Sequence, residues 1–348
     1  MPENLDSLSD RPESALLRYV ASDGDVFASV LETVRLASRV FCRSQLSAPW
    51  AMTLRAGDFA HFHVVERGGA WLRLEGSPDA VALAGGDLVI VPHGHGHTLA
   101  SAESAIAVPL DSIPREQVGG HYVLRHGGGG AETQMICGAF EFDRSMDNPL
   151  LGILPEVVHV PSGQAGEWLE PLLRLLAAEA RRPSPGSSAV VARLGDIIFV
   201  QAVRVWLASQ PEGAGGWLGA LRDKRIGAAL ASIHREPARS WSVRSLAEVA
   251  GMSRSPFAAR FREYVGEPPL SYLARWRMQL VAASMRDGRL NLRQMAEQAG
   301  YESEAAFSKA FKRHLGVSPS EYRRKSTIPD ELPAESRRTP EGAGLSSP

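Results

Sequence analysis

The 348-residue sequence is poor in cysteine, with only Cys42 and Cys137. Two cysteines are too few for a disulfide framework and suit a reducing compartment, so the expectation for each is a buried free thiol. No stretch approaches the roughly 18 apolar residues needed to span a membrane. The opening "MPENLDSLSDRPESALLRYV" is acidic and lacks a basic region followed by an apolar run, so no secretory signal is visible. The expected location is the cytoplasm, with no membrane partner. Also missing are a Ser/His/Asp array, a phosphate-cradling glycine loop and a Cys-x-x-Cys pair, which removes the common hydrolase, nucleotide-binding and thiol-redox chemistries. What remains is an ordinary globular composition, 44% hydrophobic and 22% charged, long enough for two or three domains with their own cores.

The net charge of -1 hides an asymmetry. Residues 221 to 325 carry 20 Lys and Arg against 10 Asp and Glu, whereas the remainder carries 18 against 29. A basic end on a near-neutral chain points to a polyanionic partner, although basic faces are also commonly just solvated.

Texture divides the chain. Residues 1–12 read as a flexible terminus. From 13 to 160, short apolar runs broken by glycine, such as "GGAWLRLEG" and "MICGAFEFD", predict antiparallel strands in a barrel, with "RHGGGGAETQ" as a flexible loop. Residues 161–210 change to helical spacing. Trp168, Leu172, Leu175 and Leu176 make one face of a first helix. Leu194, Ile197, Ile198, Gln201, Val205 and Leu207 leave a second helix apolar over much of its circumference, so it is expected to bury against its own domain or a second subunit. This region is the expected connector or dimerisation element. Residues 211–217 read as a linker, 218–325 as an all-helical domain, and 326–348 as a polar, disordered tail.

The helical domain contains a duplication. "VRSLAEVAGM" through "PPLSY" (243 to 272) aligns with "LRQMAEQAGY" through "SPSEY" (292 to 322). Leu246/Met295, Gly251/Gly300, Phe257/Phe307, Phe261/Phe311, Gly266/Gly316 and Tyr272/Tyr322 fall into register. Each unit has a short helix, a glycine suited to a left-handed turn, and a serine, Ser253 or Ser303, placed to cap the next helix. That is the grammar of a helix-turn-helix. The aromatic pair at i and i+4 faces inward, which frees the opposite side of the second helix for a major groove. Between the units, Leu273, Trp276, Leu280 and Met285 are spaced as on a helix that would hold two motifs roughly 34 Å apart, one turn of B-DNA.

These residues, ending in "GVSPSEYRR", resemble the DNA-binding domain of AraC/XylS-type transcriptional regulators. The resemblance implies base-facing positions at Arg254, Ser255, Ala258 and Ala259, and at Glu304, Ala305, Ser308 and Lys309. It adds Arg262, Ser303 and Lys312 to the DNA-binding set, and it makes Arg260 a phosphate candidate. Alanines at 258 and 259 suit contact with thymine methyls better than hydrogen-bond readout.

Three histidines alternate in "GGDLVIVPHGHGHTL": His93, His95 and His97. Gly86, Pro92, Gly94 and His97 are similar to the second motif of cupin barrels, and "GDFAHFHVVERGGAWL" resembles the first through His61 and His63. On a strand, His61 and His63 share one face. His61, His63 and His97 thus form a candidate three-nitrogen site for a divalent metal such as zinc or iron. The same residues also suit a metal-free ligand pocket, or a plain structural role. Glu66 stands three residues beyond His63 and points to the other face on a regular strand. His93 and His95 fall outside the pattern, and Cys137 is a weak further candidate.

The two resemblances together imply a multidomain α+β protein: an N-terminal cupin-like antiparallel β-barrel, a helical connector and a C-terminal domain with two helix-turn-helix motifs. The implied function is transcription regulation, with promoter DNA and RNA polymerase as partners, homodimerisation, and an effector or metal in the cupin domain. The alternative is a metal-dependent cupin enzyme, an oxygenase or isomerase, with an appended helical domain.

Overall fold

The computed structural model describes residues 25–33, 37–118, 121–142, 149–164, 168–181, 184–211, 216–286 and 291–327. The expected flexible terminus, and the tail beyond 327, lie outside them. The chain divides into two compact units, one reaching Leu273 and one starting at Ala274.

After a short helix, α1 (Val26–Thr33), the chain enters its β region. The strands are β1 (Ala37–Ser47), β2 (Ala51–Leu54), β3 (Ala60–Arg67), β4 (Gly69–Leu74), β5 (Ala80–Ala84), β6 (Leu88–Val91), β7 (His97–Ala100), β8 (Val108–Pro109), β9 (Arg115–Val118), β10 (His121–Gly127) and β11 (Glu132–Glu141). Helix α2 (Pro149–Ile153) precedes β12 (Val158–Val160). Seven strands form one sheet in the order β12, β6, β3, β11, β1, β10, β9, and five form a second in the order β5, β4, β7, β2, β8. Both contribute to one apolar core, including Leu46, Val65, Val89, Leu124 and Met135 from the first and Met52, Leu72, Leu83 and Leu99 from the second.

This corrects the expectation of a single antiparallel barrel. The strands form two separate ladders, and β1 with β10, and β2 with β8, run parallel. Parallel neighbours need long crossovers, which this chain supplies by passing through the other sheet. Local alternation records which side of a strand is buried and carries nothing about which distant strand lies beside it. The glycine-rich "RHGGGGAETQ" is likewise mostly strand. Only residues 128–131 form the turn, and Gly128 and Gly130 donate their backbone N–H groups to Ser47 and Ala48 carbonyls, each at 2.8 Å.

The larger sheet is covered on both faces, so its central strands are almost continuously buried. Its outer face stacks Phe62 on Phe140, with ring centroids 4.7 Å apart. Phe199 of α4 (Ser187–Ser209) packs against Phe140 at 5.1 Å and Phe142 at 5.2 Å. Gly195 permits the close approach of α4 to β1, because a Cβ there would lie 2.4 Å from the Ser38 Cβ. Beside it the Ser38 hydroxyl donates to Asp196 at 2.7 Å.

In α3 (Leu169–Arg181) the buried stripe is Leu169, Leu173, Leu176 and Ala177. It is rotated from the expected face, and Leu175 is 47% exposed. In α4, Val191, Leu194, Ile198, Phe199, Ala202 and Val203 are buried, while Val190 and Ile197 remain open. The all-round burial expected of this helix is therefore one-sided within the chain.

Two helix pairs follow, each built the same way. After α5 (Gly216–Arg222) and α6 (Lys224–Arg235) come α7 (Val243–Val249) and α8 (Arg254–Val265); after α9 (Pro269–Arg286) come α10 (Leu292–Gln298) and α11 (Glu304–Leu315), with α12 (Pro319–Thr327) last. A capping box opens the first helix of each pair, Ser242 with Ser245 and Asn291 with Gln294. The turns use Gly251 at φ 61° and Gly300 at φ 76°, the left-handed region where other residues are strained. The Phe257–Phe261 rings lie 5.7 Å apart and Phe307–Phe311 5.5 Å apart. A tyrosine closes each small core edge-on, Tyr272 on Phe261 at 5.9 Å and Tyr322 on Phe311 at 5.6 Å. Leu273, Trp276, Leu280 and Met285 of α9 are all buried, as their spacing predicts.

Asp223 caps α6, accepting from the Arg225 and Ile226 N–H groups at 3.0 and 2.9 Å. Burial raises its carboxyl pKa, but these bonds and Arg260 outweigh burial and hold it below the ordinary value. Asp223→Ala should lower stability by about 1 kcal/mol at neutral pH, measured by urea denaturation of the full chain. A depressed folded-state pKa stabilises above the unfolded value of about 3.9. The difference from wild type should therefore shrink as pH falls through the folded value.

Candidate metal centre and nucleic-acid interface

The histidine cluster joins the two sheets. His61 and His63 project from β3, where they oppose Val91 and Val89 of β6 on one side and Ala139 and Cys137 of β11 on the other. His97 begins β7 in the second sheet, opposite Leu54 and Leu74. All three are buried, at 6%, 0% and 2% exposure. One ring nitrogen from each lies within 4.8 Å of the others, and the His63 and His97 Nε2 atoms are 2.8 Å apart.

The surroundings fix what these rings can do. His97 donates from Nδ1 to the His95 carbonyl at 3.0 Å, which leaves its Nε2 lone pair facing the cluster. His61 bonds the Arg55 backbone, and its buried Nε2 has no hydrogen-bond partner among the described residues. Burial first, then the neighbouring His97, lowers the His61 pKa to about 4 against the pull of that Arg55 bond. Burial likewise drives His63 well below its ordinary value, with His97 and His61 adding to it, and lowers His97. Three buried imidazoles whose burial disfavours the charged form, two of them with a ring nitrogen (His61 Nε2, His63 Nδ1) that has no hydrogen-bond partner among the described residues, fit the donor set of a divalent transition metal.

Glu66 is outside this set. It lies where β3 bulges against β11 between Val65 and Arg67, and it accepts from Arg43 Nε at 3.0 Å. Arg43 also donates to Gln134 at 3.1 Å. Because Cys42 and Ser44 face the core, Arg43 points outward and holds Glu66 there. Nothing local in the sequence announces Arg43, since the pairing depends on the order β3, β11, β1. His93 donates from Nε2 to the Leu154 carbonyl at 2.9 Å, and so it serves the loop and not the cluster.

On the helical side, Arg254, Ser255, Ala259 and Arg262 are exposed on α8, and Ala258 is half-buried. On α11, Glu304, Ala305, Lys309 and Lys312 are exposed and Ser308 is half-buried, while Phe257, Phe261, Phe307 and Phe311 are fully buried behind them. Ser303 caps α11 by accepting from the Ala306 N–H at 3.2 Å. Ser253 occupies the matching position without a side-chain capping bond, which corrects the expectation that both serines cap. Arg260 donates from Nε to Asp223 at 3.1 Å and packs over the Tyr264 ring at 5.6 Å. Asp223 is the partner that residue types alone did not reveal, although an Asp just before a helix is itself a capping signature.

Comparison with known proteins agrees with both halves of this geometry. A cupin family model matches residues 25–208, and a helix-turn-helix domain model matches residues 246–325. A putative AraC-like transcription regulator of Streptomyces lividans is 34% identical over 88% of this chain and all of its own length. The chain belongs to the AraC-like family of transcription regulators. The HTH-type transcriptional regulator AlkR of Acinetobacter baylyi is 32% identical over 87% of this AraC-like chain and 100% of its own. Among solved structures, fatty-acid-bound ToxT of Vibrio cholerae aligns over 82% of this chain and 95% of its own, with 13% identity and a TM-score of 0.33.

In the metal-free regulator, nitrogen-detected NMR at pH 6 should show His61 and His63 uncharged, with a proton of His97 on Nδ1. An imidazolium at His61 or His63 would contradict the burial of those rings.

Proposed function

We propose that this AraC-like regulator binds promoter DNA sequence-specifically through two helix-turn-helix motifs in successive major grooves, under the control of a ligand in the cupin domain. The observation that carries the reading is the repeated construction of α7–α8 and α10–α11. The same capping box, left-handed glycine and aromatic triad recur, and each second helix leaves its polar side open. Arg254, Ser255 and Arg262 on α8, and Glu304, Ser308, Lys309 and Lys312 on α11, are the proposed contacts, with Ala258, Ala259 and Ala305 against base methyls and Ser303 fixing the helix start. Arg260 is committed to Asp223 and contributes position. The effector acts by binding the DNA-competent and incompetent states differently. The exposed apolar residues Val190 and Ile197 of α4 and Leu175 of α3 support homodimerisation through the connector, and RNA polymerase is the partner at the promoter.

The ligand reading rests on the histidine cluster. His61, His63 and His97 would hold a divalent metal, zinc or iron, and such an ion would supply a coordination position for an effector to complete. The chain's own part is to present three uncharged nitrogens and, through the His95 carbonyl and Arg55 backbone, to orient two of the rings. The sensor reading is favoured over the cupin-enzyme alternative because Glu66, the nearest carboxylate in the motif, is paired with Arg43, and because the relatives are regulators.

Binding of the full chain to its promoter should weaken steeply from about 50 to 200 mM salt, because neutralised phosphates release counterions. An unchanged gel-shift affinity across that range overturns the DNA reading. Arg254→Ala or Lys309→Ala should cost about 1–3 kcal/mol, roughly 5- to 150-fold in affinity. For the pocket, elemental analysis of zinc-loaded, desalted protein should find metal in the wild type and lose it in His63→Ala. Equal metal content in both would leave the cluster a structural or metal-free site.

A further inference from the structure

We propose that Cys42 and Cys137 form a reversible dithiol–disulfide pair that small oxidants convert into a covalent cross-link between β1 and β11. They are the only two cysteines in the sequence. They lie 95 positions apart, yet they are direct partners in the antiparallel ladder. Residues directly opposite in such a ladder have Cα atoms about 4.5–5.5 Å apart. That separation falls inside the roughly 4.4–6.8 Å that a disulfide spans, so the register is compatible with a cross-link. Both thiols are free, each 7% exposed, and both point into the core between the sheets.

The two sulfurs differ in character. A hydrogen bond from the Cys137 thiol lowers the Cys42 pKa to about 7, against burial, and Ser44 Oγ at 3.7 Å and the more distant Arg115 add to it. Cys42 is therefore the attacking sulfur and Cys137 the resolving one. Near-complete burial restricts the oxidant to a small neutral molecule, a hydroperoxide of hydrogen or a hypohalous acid. With hydrogen peroxide, the Cys42 thiolate attacks one oxygen, the O–O bond breaks, and the departing hydroxide takes up a proton as water. The Cys137 sulfur then attacks the Cys42 sulfenic acid; the S–O bond breaks, the S–S bond forms, and the second oxygen leaves as water with the Cys137 proton. Two thiols are oxidised and one peroxide is reduced to two waters.

The position gives the cross-link a consequence. Cys137 stands opposite His63 on its other side, and β1 carries α4 on its outer face through Ser38 and Gly195. A bond between β1 and β11 thus stiffens the strands shared by the histidine cluster and the connector helix.

The test uses the reduced full-length protein, treated with hydrogen peroxide and then denatured for thiol counting, intact mass and peptide mapping. The expected result is a fall from two titratable thiols per chain to none, a mass lower by two hydrogens, and a linked Cys42–Cys137 peptide that dithiothreitol releases. Cys42→Ser and Cys137→Ser should each lose the intramolecular link. The wild-type measurement does not depend on either variant folding. Two thiols surviving peroxide, or separate sulfinic and sulfonic acids without a linked peptide, would overturn the proposal.

Discussion

The two-residue alternation of the central strands is the constraint on which the rest depends. Strands β3 and β11 are buried on both faces, and β1 beside them on its inner face, so every second side chain belongs to a different structure. Inward lie His61, His63, Cys137 and Cys42; outward lie Phe62 and Phe140, on which α4 packs. The candidate pocket and the connector helix are thus two sides of the same backbone. Such a sheet does not deform locally without both faces feeling it, because dense packing leaves no slack.

Electrostatics in the β domain follows the same division. The interior contains three imidazoles whose pKa values burial lowers, set opposite Val89, Val91, Leu54 and Leu74. Charges are placed outside in pairs, as with Arg43 and Glu66. In the helical domain the excess of basic residues is partly spent internally. Arg260 pairs with Asp223, Arg244 with Glu248, and Arg293 with Glu297. The cationic surface available to a polyanion is therefore smaller than the residue count suggests.

What was legible in the sequence was whatever local chemistry determines. The helix pairs could be read because their glycines, caps and aromatic spacings are local requirements, and the duplication doubled each one. The convergence of His61, His63 and His97 was readable from two short motifs. Less legible was anything set by which distant strands are neighbours. The parallel pairing of β1 with β10, the Arg43–Glu66 bridge and the facing of Cys42 and Cys137 all depend on sheet order, which residue periodicity does not encode. The buried stripe of α3 was misplaced by one position, because Leu at 169, 172, 173, 175 and 176 offers several nearly equivalent apolar faces.

The bulge in β3 has a consequence for the pocket's charge. In an unbroken strand, Val65 facing the core would be followed two residues later by Arg67 facing the core as well. The extra residue at Glu66 resets the parity, so Arg67 pairs with Gln134 on the exposed side while Val65 still pairs with Met135 inside. One inserted residue is what keeps the Arg67 guanidinium on the exposed side and out of the apolar interior. The bulge works as a charge filter written into the backbone.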